Sequence, residues 1–182
     1  MYRRLIVALI LGACAAHAVA HQPHEAAPTR PAPRALLVEK ALPPPPRGVE
    51  ELRFRDVFKS PVGAYGLEAT ERLLSLDGKR VRIVGYMVRQ AEGGAGAFAL
   101  SPLPLTLGDA DEGLADDLPP SALLVQMPAQ AGLRPDHLSG LIQLTGRLRV
   151  GRAESAALPG RVFPATLELD EKVQKLIAKQ NK

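Results

Sequence analysis

The chain holds a single cysteine, Cys14, and no tryptophan. One thiol excludes the intramolecular disulfide framework on which many small exported domains depend, so stability has to come from an ordinary apolar core. Aromatic residues are scarce. Four phenylalanines are joined by three tyrosines, and Tyr2 belongs to the N-terminal basic head. That poverty argues against single-stranded nucleic acid as a partner, because such binding relies on stacked aromatic platforms. Apolar runs long enough to cross a membrane, about 20 residues, are also missing. The sequence has no G-x-S-x-G elbow, H-E-x-x-H pair, phosphate loop or dinucleotide fingerprint. Together these gaps predict a protein that is not an enzyme and carries no cofactor.

What is present begins with an export signal. Tyr2-Arg3-Arg4 forms a short basic head, Leu5 to Ala16 an apolar stretch, and Ala18 and Ala20 a small-x-small cleavage pattern. Cleavage after Ala20 would make His21 the first mature residue and discard Cys14. The competing route is lipidation, since Leu11-Gly12-Ala13-Cys14 fits a lipobox in which Cys14 is acylated and becomes the mature N-terminus. Both routes predict a periplasmic protein, membrane-anchored only if Cys14 is lipidated. Removing the signal deletes Arg3 and Arg4 and no acids, so 23 basic residues become 21 against 19 acidic ones. The formal charge of +4 on the precursor is therefore weak ground for a polyanionic partner.

Residues 21–48 hold eight of the seventeen prolines, including Pro43-Pro44-Pro45-Pro46, and no periodic apolar pattern. Proline fixes φ and donates no backbone N–H, so this stretch is predicted to be a disordered, extended tether. The folded domain is expected over 49–182. Within it, Gly66 to Leu74 reads as a short helix burying Leu67, Leu73 and Leu74, ended by the turn Leu76-Asp77-Gly78-Lys79. Two long strands follow the period of two. In one, Val81, Ile83, Gly85 and Met87 alternate with Arg80, Arg82, Val84 and Tyr86. In the other, Ile142, Leu144, Gly146, Leu148 and Val150 alternate with Gln143, Thr145, Arg147 and Arg149. Each has a glycine on its inward face, where a strand can bend or another backbone can come close.

Shorter strands are predicted at 98–100, 123–127 and 163–169, with Pro164 placing the last of them at an edge or a bulge. Val173, Leu176 and Ile177 give a short C-terminal helix. Five strands, two bent at glycine, predict an all-β fold, a small OB-like barrel; a β-sandwich is the alternative.

The segment Leu76-Asp77-Gly78-Lys79-Arg80-Val81-Arg82-Ile83-Val84-Gly85-Tyr86-Met87-Val88 resembles the opening of an uncharacterised family of exported bacterial proteins with an OB-like domain. Phe98-Ala99-Leu100, Pro119-Pro120 and Gly146 fit the rest of its layout, over roughly 50–170. The resemblance implies fold and compartment and brings no catalytic residues. Members with this pattern often carry a cysteine in the loop after the second strand, where Asp109 to Asp117 stands here.

Three groups are candidate sites. Asp109, Asp111, Glu112, Asp116 and Asp117 put five carboxylates in nine residues, a concentration of hard oxygens suited to Ca²⁺, although the spacing fails the EF-hand pattern. A solvated loop explains the same residues. His21 and His24 become a copper chelate if cleavage frees the α-amino group of His21; the plain reading is a mobile tail. Arg80, Arg82, Arg147 and Arg149 lie outward on the two long strands and, if those strands pair, form a stripe that grips an anion or a partner. Charges on a solvated strand face explain them as well. His137, after Pro135, is expected on a surface loop. The function predicted is a binding or adaptor module of the bacterial cell envelope, accessory to a system such as transport and contacting a protein or small ligand. The alternative is a periplasmic metal-handling protein that uses the acidic loop or the N-terminal histidines.

Overall fold

The computed structural model describes residues 28–90, 94–107 and 118–179. The described residues are mostly β, with 37% strand against 14% helix, as the two period-two segments require. In chain order come β1 (Thr29–Pro31), β2 (Glu50–Glu51), a 3-10 turn (Phe54–Asp56), α1 (Glu71–Ser75), β3 (Arg80–Met87), β4 (Ala97–Ser101) and β5 (Leu123–Gln126). A second 3-10 turn (Pro128–Gln130) leads to β6 (His137–Ser139), β7 (Leu141–Ala153), β8 (Phe163–Leu169) and α2 (Glu171–Ala178). Six strands form one sheet in the order β2-β3-β4-β5-β8-β7, and β3 pairs with β7 as well as with β4. The β3–β7 and β7–β8 pairings are antiparallel, whereas β5 runs parallel to β8.

The inward residues predicted on the long strands are those that fill the core. Val81, Ile83, Ile142, Leu144 and Leu148 are buried together with Phe98, Leu100, Leu123, Val125 and Leu167. α2 adds Val173 and Ile177 to this cluster and is tied to the sheet where Asp170 N–H donates to the Thr145 carbonyl at 3.0 Å. Gly146 fulfils the expectation of a close approach: a β-carbon there would lie 2.2 Å from the Glu168 carbonyl oxygen of β8. At Gly85 a β-carbon would meet both the Phe54 ring, at 2.8 Å, and the Ser101 carbonyl oxygen, at 2.9 Å.

Pro164 sits opposite a bulge and not at an edge. β8 lies between β5 and β7, and the β7–β8 register shifts between Val150 and Ala153, so that no ladder hydrogen bond is asked of the proline nitrogen.

Two further expectations are corrected. The helix read from Gly66 to Leu74 is only α1. Thr70 caps it, its Oγ1 accepting the Leu73 N–H at 3.0 Å, and a five-residue helix buries a single apolar row. Leu73 is accordingly buried, whereas Leu67 and Leu74 are 47% and 50% exposed.

The tether is the larger correction. Residues 29–38 run against the domain as a strap. β1 pairs in parallel with β6, Val38 N–H donates to the Leu141 carbonyl at 2.9 Å, and Gln143 N–H donates to the Leu36 carbonyl at 2.8 Å. Ala32 and Leu36 are buried in the main core. The extended backbone was legible from the prolines; the docking was not, because two apolar side chains among prolines show no period.

Candidate functional site

The predicted arginine stripe does not form an open anion face. β3 and β7 do pair, placing Arg80 opposite Arg147, but each guanidinium is engaged within the chain. Arg80 grips Asp170 with two nitrogens, Nε at 2.9 Å and Nη2 at 2.6 Å, and this contact holds its own pKa above the usual arginine value. Arg82 is buried and donates to Glu51 at 2.8 Å. That bond, against the opposing effect of burial, holds the Glu51 carboxyl below its ordinary value. Arg149 meets Glu168 at 3.3 Å, and Arg147 donates to the Gly78 carbonyl at 3.1 Å. Sequence alternation put Arg82 on the outer side correctly; it could not show that β2 would bring Glu51 over it.

His137 is likewise displaced from its predicted surface loop. It opens β6 and is half-buried. Nε2 lies 3.0 Å from the Met87 carbonyl, an oxygen that can only accept, so the proton of the neutral ring resides on Nε2. Nδ1 is left to accept from the Thr29 hydroxyl at 3.3 Å, which joins the ring to the strap. Burial pushes the His137 pKa below 6.5 and the nearby Arg89 charge adds to the effect, while the Met87 hydrogen bond opposes it. Asp136, beside it, pairs with Arg30 of β1 at 2.6 Å. Both ring nitrogens therefore have structural work.

The acidic residues Asp109, Asp111, Glu112, Asp116 and Asp117 lie outside the described residues, as do Cys14, Ala20, His21 and His24. Among the described residues no three His, Cys, Asp or Glu side chains come together as metal ligands. No helix among them is long and apolar enough to cross a membrane.

One face of the sheet is closed by the chain itself. β4 is buried along its whole length: Phe98 and Leu100 enter the main core, while Ala97 and Ala99 join a second apolar cluster with Leu124 of β5. That cluster is roofed by Leu107 from the segment after β4 and Leu158 from the segment after β7. A ligand approaching the β4–β5 face would have to displace this packing.

Apolar surface is instead presented by residues 58–69, a hairpin-like excursion that the sequence reading partly misassigned to a helix. Its base is closed by the antiparallel bridge between Phe58 and Ala69, by the Lys59 N–H donating to the Glu68 carbonyl at 2.8 Å, and by the Lys59–Glu68 ion pair at 2.9 Å. Its tip turns where Gly66 N–H donates to the Gly63 carbonyl at 3.1 Å, with Gly66 at a φ of +91°, a conformation glycine adopts without a β-carbon clash. From Ser60 to Leu67 the excursion carries no charge, and at its tip Tyr65 is 96% exposed and Val62 61%. The visible signal in the sequence is Pro61, Gly63 and Gly66 spaced as turn residues around Ala64-Tyr65.

No family model matches the sequence, and no curated protein matches it. Among solved structures, a crystal structure of a DUF3299 family protein from Pseudomonas aeruginosa is similar over 67% of this chain and 93% of its own, at 16% identity and a TM-score of 0.44. At so low a score the fold of this chain rests on its own strand pairings.

Proposed function

We propose that the protein is an exported, non-enzymatic OB-like module of the bacterial cell envelope that binds a protein partner through the tip of the 58–69 hairpin. The order β3-β4-β5-β8-β7, with β7 returning to β3 and β5 parallel to β8, supports the OB-like barrel and the family resemblance of the Leu76–Val88 segment. OB folds commonly take oligonucleotides or oligosaccharides on the face of their second and third strands. Here the equivalent face, β4 and β5, is covered by Leu107 and Leu158. That closure moves the reading away from nucleic acid and towards a contact elsewhere.

The observation that carries the reading is the hairpin: an uncharged apolar tip on a base closed by hydrogen bonds and an ion pair. A rigid aromatic anchor inside a polar rim is the usual anatomy of an interface hot spot. The flanking residues 50–72 hold Glu50, Glu51, Asp56, Glu68 and Glu71 against Arg53, Arg55, Lys59 and Arg72. This balance offers no basic surface for anionic lipid, which favours protein over membrane.

The reading is tested by pull-down from solubilised cell envelopes with the full chain and with the variant Val62→Ser/Tyr65→Ser/Leu67→Ser. A stoichiometric partner that the variant loses, at unchanged melting temperature, is the expected result. A partner retained by the variant, or bound metal in place of any partner, would overturn it.

A further inference from the structure

Residues 39–48 join the strap to β2 and belong to no helix or strand. Both ends of this linker are held. Before it, Val38 N–H donates to the Leu141 carbonyl at 2.9 Å; after it, Val49 is buried and Glu50 pairs with Val81. Between the anchors stand Pro43-Pro44-Pro45-Pro46, and the peptide bonds leading into them are trans.

Covalent chemistry sets the conformation of the prolines. Each ring fixes φ at about −65°, and a residue that precedes proline is driven to an extended ψ. Pro43, Pro44 and Pro45 obey both constraints at once, which makes a polyproline II helix of about three residues per turn. A turn then closes the run. Val49 N–H donates to the Pro46 carbonyl at 3.1 Å, and Gly48 has a φ of +77° where Arg47 keeps a negative one. That is the pattern of a type II turn, whose second residue, here Arg47, stays close to the same extended geometry.

Burial follows the period of three. Leu42 and Pro45 are half-buried and lean on the domain, while Pro43, Pro44, Pro46 and Arg47 are exposed. A three-fold helix with one line of side chains turned inward offers its other two outward, Pro43 with Pro46 and Pro44 with Arg47. None of these residues enters the core. Charge on the stretch is one-sided: over residues 34–47, Arg34, Lys40 and Arg47 stand exposed against the single acid Glu39. Lys40 and Arg47, which flank the prolines, take part in no hydrogen bond or ion pair among the described residues.

We infer that the linker is a docking ligand, whose exposed prolines enter an aromatic-lined groove of a partner protein domain while Lys40 and Arg47 meet carboxylates on the rim of that groove. Such grooves take proline-rich segments because the helix is already formed, so little conformational entropy is lost on binding. Holding both ends of the linker lowers that cost further. Addition to a sheet edge is the wrong mode for this stretch, since proline has no N–H to give to a ladder. The contact shares no residue with the hairpin, so either can fail without the other.

The test is fluorescence titration of a purified SH3 domain, whose groove holds a tryptophan beside an acidic rim, with the full chain to about 1 mM, a range that covers micromolar affinities and weaker ones. The chain has no tryptophan, so the groove alone reports. A saturable change is expected, with the full chain binding at least as tightly as a synthetic peptide of residues 39–49. Pro43→Ala/Pro46→Ala should raise the midpoint about tenfold or more by removing one line of the helix, and Lys40→Glu/Arg47→Glu should do so by setting like charges against the rim. Val62→Ser/Tyr65→Ser/Leu67→Ser should leave the midpoint unchanged, which separates this contact from the hairpin. No change in fluorescence with either chain or peptide would overturn the inference. So would tighter binding by the peptide than by the folded chain, which would mean that the domain blocks the helix, or an unchanged midpoint in either linker variant.

Discussion

The strap at 29–38 and the hairpin at 58–69 are built from similar material and end in opposite environments. Each is a short excursion outside the six-stranded sheet, each contains proline, and each carries a few apolar side chains without a period. The strap finds partners. β1 lies along β6, Arg30 pairs with Asp136, and Leu36 enters the core at 3% exposure. The hairpin closes on itself through Lys59 and Glu68 and leaves Tyr65 in solvent. Backbone pairing decides between the two outcomes. A segment hydrogen-bonded to the domain can seat individual side chains such as Ala32 and Leu36 in the core, while the tip of one bonded only to itself stays in solvent. Buried apolar groups then act on stability and exposed ones on association.

The largest expected effect comes from emptying the strap's anchor. Leu36→Ala removes a fully packed side chain and should cost about 2–5 kcal/mol in urea unfolding. A cost of a few tenths would mean that the strap only rests on the surface, and the contrast with the hairpin would disappear.

A second expected effect tests the ring that joins strap to sheet. Burial depresses the folded-state pKa of His137 below its ordinary 6.5, so the unfolded chain binds the proton more readily. Its contribution to stability is complete above about pH 6.5 and is lost as the pH falls through that value towards the folded-state pKa. Unfolding free energies followed from about pH 7.5 downwards should decline for the wild type more steeply than for His137→Gln. Parallel declines would show that the ring does not feel its burial.

The smallest stability effect belongs to the hairpin. Tyr65→Ser should change unfolding by no more than about 0.5 kcal/mol, the range of surface substitutions that break no packing. Set beside Leu36→Ala, that near-zero value sharpens the comparison. A cost of 2 kcal/mol or so would place Tyr65 against the fold and remove the hairpin as a contact surface.

The elements legible in sequence are long repeating patterns or short apolar runs between turn residues, such as those that become β4 and β5. β3 and β7 alternate over many residues, and Val173, Leu176 and Ile177 mark one face of α2. What sequence did not show lacks both a period and an apolar run. β1, β2 and β6 span two or three residues and exist only through their partners, so no periodicity announces them. The helix expected over Gly66–Leu74 shrinks to α1 because the turn residues Gly63 and Gly66 close the hairpin before Thr70 caps the helix. Of the candidate site, Pro61, Gly63 and Gly66 announced a turn but not that Tyr65 would stand clear of it.

Sequence by itself determined the long strands, the inward faces that form the core, the glycine at 146 where two backbones nearly touch, and the C-terminal helix. These follow from local periodicity and from steric facts that travel with the residue. Tertiary structure alone decided which arginines are paired, which loop residues roof β4 and β5, and whether a proline-rich segment docks or drifts. Those outcomes depend on contacts between residues far apart in the chain, such as Arg80 with Asp170 and Thr29 with His137, and no local pattern encodes them.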